Sequence, residues 1–308
     1  MQHIPVDTIR NTNSIQTSGP QRVSQPVNVM RKIVPKMTIG DGDSQVFSIK
    51  FDDEDKYLAC GYGDGMTRIY NTHTGKLAYT LQNLYAQDEM PITCLMWRPV
   101  SAALKTTNIL VTGSADGVLR HWHATSGKCL HQKIEDQDQH IYAMDFNPDG
   151  TLLATAGKDA KVRVYDETTK SIAYTMKSLA ELPGHSNRIF CVKFNPTDPN
   201  MLLSGGWDNT IQIYDQRYRG PVRTLYGPHV CGETIDIRRD GYSIVTGSYR
   251  VEDAIEVFDL RMNKRSRVIP WDGTGSQEVL MYDDEGDMTG QETDNEEAKS
   301  VFTQRDQN

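Results

Sequence analysis

Long apolar runs are missing from this chain. None of its 308 residues lies in a stretch long enough to cross a bilayer as a helix. The opening Met-Gln-His-Ile-Pro-Val-Asp-Thr lacks the basic and apolar regions of a secretory leader, so none is expected. The five cysteines are an odd number, scattered at Cys60, Cys94, Cys129, Cys191 and Cys231, with no Cys-x-x-Cys pair. That argues against a zinc site and a disulfide framework and for a reducing compartment. There is no Gly-x-Ser-x-Gly elbow, no His-x-x-x-His pair and no glycine loop opening a helix. Gly61-Tyr62-Gly63-Asp64-Gly65 is glycine-rich, but it lies at a strand–strand turn, where no helix N-terminus meets a phosphate. No catalytic residue, cofactor or metal is therefore expected. A basic face is missing too: the net charge is -8, which argues against nucleic acid.

What is present is repetition. Met201 to Asp215 reads Met-Leu-Leu-Ser-Gly-Gly-Trp-Asp-Asn-Thr-Ile-Gln-Ile-Tyr-Asp, and Leu152 to Asp166 is a close variant. Leu110 to His123, Leu58 to Asn71 and Ile244 to Asp259 are looser copies. Their closing aromatics, Tyr70, Trp122, Tyr165, Tyr214 and Phe258, recur every 43 to 52 residues. Each copy follows an apolar-x-x-apolar-x-aromatic strand, as in Ile141 to Phe146 and Ile189 to Phe194, and a turn such as Asn147-Pro148-Asp149-Gly150. A more variable fourth strand closes the unit. This period and pattern predict an all-β chain of four-stranded propeller blades.

The domain plan follows from composition. Residues 1–29 are polar and read as a flexible arm, residues 30–271 as blades, and residues 272–308 as an acidic flexible tail. Within that tail, residues 283–297 hold eight acidic residues and no Lys or Arg. It reads as a solvated tail, or as a segment for a basic partner surface. The run from Arg31 to Ile39, broken by Pro35, reads as an orphan fourth strand ahead of the first blade.

These repeats resemble the WD-repeat family of β-propellers. The family's Trp-Asp ending is similar to Tyr70-Asn71, Trp122-His123, Tyr165-Asp166, Tyr214-Asp215 and Phe258-Asp259; its Gly-His survives at Gly184-His185, partially at Gln139-His140, and altered at Gly227-Pro228-His229. Most such propellers have seven blades. Five recognisable blades fit a small ring, a piece of a longer propeller, or a propeller that is incomplete or open relative to seven blades; the open form is expected, with a partner completing it. The resemblance implies a buried structural network of His185, Asp208, Ser204 and Tyr214, and a second of His140, Asp159, Thr155 and Tyr165. These look like hydrolase triads but serve to tie each blade together.

The resemblance also implies a non-catalytic scaffold that docks proteins or peptides and assembles a multiprotein complex. The residues expected on the docking face are those after a blade's opening apolar position, Phe47, Tyr142 and Phe190, and those before the turn Asp, Lys158 and Trp207, with Tyr249 in the equivalent place. An aromatic-Asp-x-Arg pattern ending at Arg217 and at Arg261 resembles the adaptor-contact box of cullin-RING ubiquitin-ligase substrate receptors, an alternative role. A cytoskeletal or ciliary structural component is another, and an enzyme with carboxylates at the channel mouth is the alternative of a different class. The expected location is cytoplasmic, the nucleus staying open, without membrane insertion.

Overall fold

A computed structural model describes residues 36–40, 42, 44–82, 90–101, 106–135, 139–176, 178–179 and 182–269. The chain divides into residues 1–38 and 39–308. The expected arm (1–29) and acidic tail (272–308) lie outside the described residues. Of the expected strand at 31–39, residues 36–39 are described and carry no strand pairing. A lone fourth strand has no sheet to join unless three others accompany it.

Among the described residues, strands from Val46 to Ile269 form five antiparallel sheets of four strands each, in simple meander order. The first blade holds β1 (Val46–Phe51), β2 (Tyr57–Tyr62), β3 (Thr67–Asn71) and β4 (Leu77–Leu81). The second holds β5 (Ile92–Trp97), β6 (Ile109–Ser114), β7 (Val118–His123) and β8 (Lys128–Ile134). The third holds β9 (Ile141–Phe146), β10 (Leu152–Gly157), β11 (Val162–Asp166) and β12 (Ser171–Thr175). The fourth holds β13 (Ile189–Phe194), β14 (Met201–Gly206), β15 (Thr210–Asp215) and β16 (Gly220–Tyr226). The fifth holds β17 (Ile235–Ile237), β18 (Ser243–Gly247), β19 (Ile255–Asp259) and β20 (Lys264–Ile269). The only helical element described is a 3₁₀ turn at Ala124–Ser126.

The core lies between blades rather than within them. Ala59, Ile69 and Leu81 of the first blade meet Leu95, Trp97, Leu110 and Trp122 of the second. Equivalent clusters join the second to the third, the third to the fourth, and the fourth to the fifth. Small residues permit this approach. A Cβ on Gly205 would come within 2.6 Å of the Ile235 side chain of the next blade. The closing aromatics of all five repeats are buried. In the second blade the indole of Trp122 donates to Thr112 Oγ1 at 3.0 Å.

Consecutive inner strands β1, β5, β9, β13 and β17 pack on one another, whereas among the described residues no strand of the first blade packs comparably on the fifth. The faces that would meet there are exposed: Ile49 and Phe51 on one side, Val245 on the other. Their repeat equivalents Val192, Phe194 and Leu203 are buried. One polar link crosses the axis. Lys50 Nζ of β1 lies 2.5 Å from Glu233 Oε1, and Lys193 Nζ of β13 lies 2.6 Å from the same oxygen.

Candidate functional site: an aromatic ladder on one face

A repeated backbone latch builds one face of the propeller. After the second strand of each of the first four blades, one N–H donates to the carbonyl just ahead of that blade's first strand. The pairs are Gly63 to Gln45, Ala115 to Pro91, Lys158 to His140 and Trp207 to Arg188, all between 2.8 and 3.0 Å; in the fifth blade Tyr249 latches at 3.0 Å to His229, which lies ahead of β17 by six residues rather than one. Where the side chains flanking the latch are rings, they come side by side. Gly206 explains why the turn needs a glycine: a Cβ there would stand 2.2 Å from the Arg188 carbonyl oxygen.

In the third to fifth blades these rings form a continuous ladder. Tyr142 stacks on Phe190 with centroids 4.8 Å apart and planes 9° from parallel. Phe190 stacks on Trp207 at 5.0 Å, and Trp207 on His229 at 6.4 Å. His140 leans on Tyr142 at 5.8 Å to close the other end. The Arg188 guanidinium lies 5.1 Å from the centre of the Trp207 ring, within cation–π range. Trp207 is 36% exposed. Of the expected docking residues, Tyr142, Phe190 and Trp207 are thus joined directly. Lys158 sits beside the ladder through its latch to His140, and Tyr249, 79% exposed, sits beside it through its latch to His229. Phe47 stands apart on the first blade, its ring over Gly63. The second blade interrupts the series. Its equivalent residue is Thr93, whose hydroxyl bonds the carbonyls of Gly113 and Ile141.

Sequence reasoning missed the two histidines at the ends. His140 was assigned to a buried network and His229 to a degraded motif. The place of His140 directly ahead of β9 was the available signal; His229, six residues ahead of β17, offered none.

The two expected networks fare differently. In the fourth blade His185 Nδ1 lies 2.8 Å from Asp208 Oδ2, and Nε2 lies 2.7 Å from Ser204 Oγ. With Asp208 ionised, Nδ1 donates and Nε2 accepts from the Ser204 hydroxyl. Burial works against the Asp208 charge, yet His185, Thr210 Oγ1 and the Ser186 N–H together hold its carboxyl below the usual range. Burial pushes the Tyr214 phenol up to about 12, with Ser204 as its hydrogen-bond neighbour. Ser204 is fully buried within β14, so its hydroxyl does not open to a substrate.

In the third blade the structure departs from expectation. Glu135, not His140, receives Thr155 Oγ1 at 2.5 Å and the Tyr165 phenol at 2.8 Å. Arg163 bridges Glu135 and Asp159 at 3.4 and 2.6 Å. Asp159 is also bound by the Gln139 amide at 3.0 Å. The reason is register: His185 precedes the start of β13 by four residues, whereas His140 directly precedes β9 and is carried to the face.

At the axis, burial raises the Asp145 carboxyl to about 6, with Lys193 opposing the shift, and the carboxylate accepts the Phe194 N–H at 2.8 Å. Burial works against the charges of Lys193 and Glu233 as well. Asp145 and Glu233 nevertheless hold Lys193 above its usual range, and Lys193 and Lys50 hold Glu233 below its own. These charges neutralise one another. Among the described residues no group of three or more His, Cys, Asp or Glu could hold a metal, and no helix is long and apolar enough to cross a membrane. Arg217 and Arg261 are exposed, and each forms a two-point contact with its own neighbour, Asp215 or Asp259, with closest approaches of 2.5 and 2.7 Å.

Known proteins bear on this architecture. A family profile described as WD domain, G-beta repeat matches residues 127–166 and 176–215, and one described as the anaphase-promoting complex subunit 4 WD40 domain matches residues 25–100. A WD repeat-containing protein 91 homolog of Dictyostelium discoideum is 30% identical over 58% of this chain and 22% of its own length. Protein tipD of the same organism is 23% identical over 76% of this chain and 36% of its own. A target of rapamycin complex subunit LST8 of Bos taurus is 25% identical over 53% and 47%. The chain therefore spans less than half the length of each of these relatives. A chain in a crystal structure of the mitotic checkpoint complex superposes with a TM-score of 0.63 at 18% identity, covering 76% of this chain and 68% of that one, a likeness of fold. With five four-stranded blades, repeated latches and matching repeats, the chain belongs to the WD-repeat family of β-propellers.

Proposed function

We propose that this protein is a non-catalytic scaffold whose propeller face docks a protein or peptide across the ladder from His140 to His229. The observation that carries this reading is the stack of Tyr142, Phe190 and Trp207, capped by Arg188. Interface centres favour Trp, Tyr and Arg because rigid rings supply contact area at small entropic cost, and half-exposed rings have area left to give. Three rings held in register by two neighbouring blades form a platform that needs little reorganisation on binding. Proteins are the partner class this surface suits, and the reading involves no nucleic acid and no membrane insertion. The channel carboxylates are paired with ammonium groups, which favours docking over channel chemistry. A cytoplasmic location suits five free thiols. Arg217 and Arg261 are engaged by their own aspartates, so nothing in the geometry favours the ligase-receptor role.

Phe190→Ala combined with Trp207→Ala is expected to abolish capture of cellular partners while the β-type circular dichroism persists. Undiminished capture by the folded double variant would refute the ladder as the docking site.

A further inference from the structure

Each blade but the last carries a small residue near the end of its second strand that receives an aliphatic side chain from the next blade. A Cβ on Gly61 would come within 2.7 Å of Ile92, one on Gly113 within 2.9 Å of Ile141, and one on Gly205 within 2.6 Å of Ile235 and 3.0 Å of Val230. In the third blade the small residue is Ala156, which clusters with Ile189. The inserted residues Ile92, Ile141, Ile189 and Val230 are at most 3% exposed.

The fifth blade has the socket without the insert. Its small residue is Gly247, which pairs with Ile255 as Gly205 pairs with Ile211. The atoms nearest a Cβ there belong to Thr234 of the same blade. Among the described residues no further blade covers this place, and a cleft of about 390 Å³ is lined there by Cys231, Gly247, Ala254 and Ile255.

The first blade has the insert without the socket. Val46 of β1 pairs with Tyr62, the residue after Gly61, just as Ile92 pairs with Ser114, Ile141 with Gly157 and Ile189 with Gly206. Val46 therefore holds the inserting position, and it is 51% exposed. The two ends are already tied at the axis. Lys50, four residues beyond Val46, meets Glu233, which lies between the cleft-lining residues Gly232 and Thr234. Bringing the ends fully together would cover Val46, Ile49, Phe51 and Val245, all more than a third exposed. Opposing this, the packed interfaces between the five blades must each adjust, and close-packed interiors resist that.

We propose that the propeller opens and shuts at this seam, the shut form seating Val46 in the socket at Gly247. The open form is the resting one. Shutting carries Phe47, next to Val46, toward Tyr249, so that the first blade joins the ladder. A partner lying on both residues binds the shut form more tightly and so draws the seam closed. That consequence rests on the ladder being the docking site; the closure itself does not.

The test uses the full chain. Val46→Cys brings a thiol to the native Cys231 of the socket when the seam shuts. A disulfide needs Cα atoms within about 7 Å of each other, so the bond reports the meeting of the ends. Under mild oxidation with diamide the variant should link to Cys231 within one chain, at a rate independent of protein concentration. The rate should exceed that of His73→Cys, with its thiol on the turn between β3 and β4, at least about tenfold. Peptide mapping identifies the link, and Cys231→Ser should abolish it. Gly247→Val, or Ala254→Leu as the milder change, fills the socket and should slow the linking, with circular dichroism confirming the fold. In the linked chain Phe51→Ala should lower the denaturation midpoint more than in the same chain reduced, because the shut seam buries Phe51.

A rate no faster than that of His73→Cys, or a Phe51→Ala effect unchanged by linking, would overturn the proposal. A link formed only between chains would overturn it in favour of a second copy. If closure falls while Phe190→Ala with Trp207→Ala still abolishes partner capture, the ladder remains a docking site without the first blade. If closure holds and that capture survives, the seam stands and the docking reading alone falls.

Discussion

The inner strands of the first and fourth blades carry the same pattern and meet opposite fates. Val192 and Phe194 of β13 are 1% and 5% exposed, whereas Ile49 and Phe51, the matching residues of β1, are 55% and 56% exposed. The strands pair with their second strands in the same register. What differs is the neighbour: the third blade covers β13, and among the described residues no blade covers β1. Leu203 and Val245 repeat the contrast on the other face, fully buried in the fourth blade and 37% exposed in the fifth. A blade is a complete hydrogen-bonding unit but only half of a hydrophobic one. Its stability therefore depends on its neighbours, as in other repeat architectures.

The sharpest way to break the comparison is to truncate both aromatic residues. Phe194→Ala is expected to destabilise the propeller by about 3–5 kcal/mol, since it opens a cavity between packed blades. Phe51→Ala should cost less than about 1 kcal/mol, since little is buried to lose. Chemical denaturation measures both. Equal costs would mean that the first blade's open face is covered in solution.

A second contrast sets the two polar networks side by side. His185→Ala is expected to cost about 1–3 kcal/mol, because it strands Asp208 and Ser204 without their buried partner. His140→Ala should leave the denaturation midpoint near its original value, because Glu135 holds the third blade's hydroxyls. A large loss at His140 would place it in a network after all.

The remaining effect is at the axis and depends on pH. The folded-state value of Asp145 is about 6, above the usual carboxylate value of about 3.9. The folded protein therefore holds this proton more tightly than the unfolded chain. The associated stability is fully present below about pH 4 and is lost as pH rises through about 6, a change of roughly 2–3 kcal/mol. Asp145→Asn retains an acceptor for the Phe194 N–H and should flatten this part of the stability profile. An unchanged profile would mean that Asp145 stays ionised throughout.

Much of this was legible in the repeats. The closing aromatics marked every third strand, and the residues after the opening apolar position marked Tyr142 and Phe190 as face residues. Trp207 followed from its place before Asp208, and the His185 set from its spacing. Glu135 escaped notice because its match to His185 is chemical rather than literal: a carboxylate receives the hydroxyls, and Arg163 balances its charge. The Lys50–Glu233–Lys193 contact escaped notice because its members lie 40 and 183 residues apart and meet only when the inner strands converge on the axis.

The sequence by itself determined the blades: their number among the described residues, their turns and their buried aromatic endings all follow from local pattern and spacing. Only the tertiary structure decided which faces are covered and which rings touch. Burial and stacking depend on the distance between one blade and the next, and no single repeat encodes that distance.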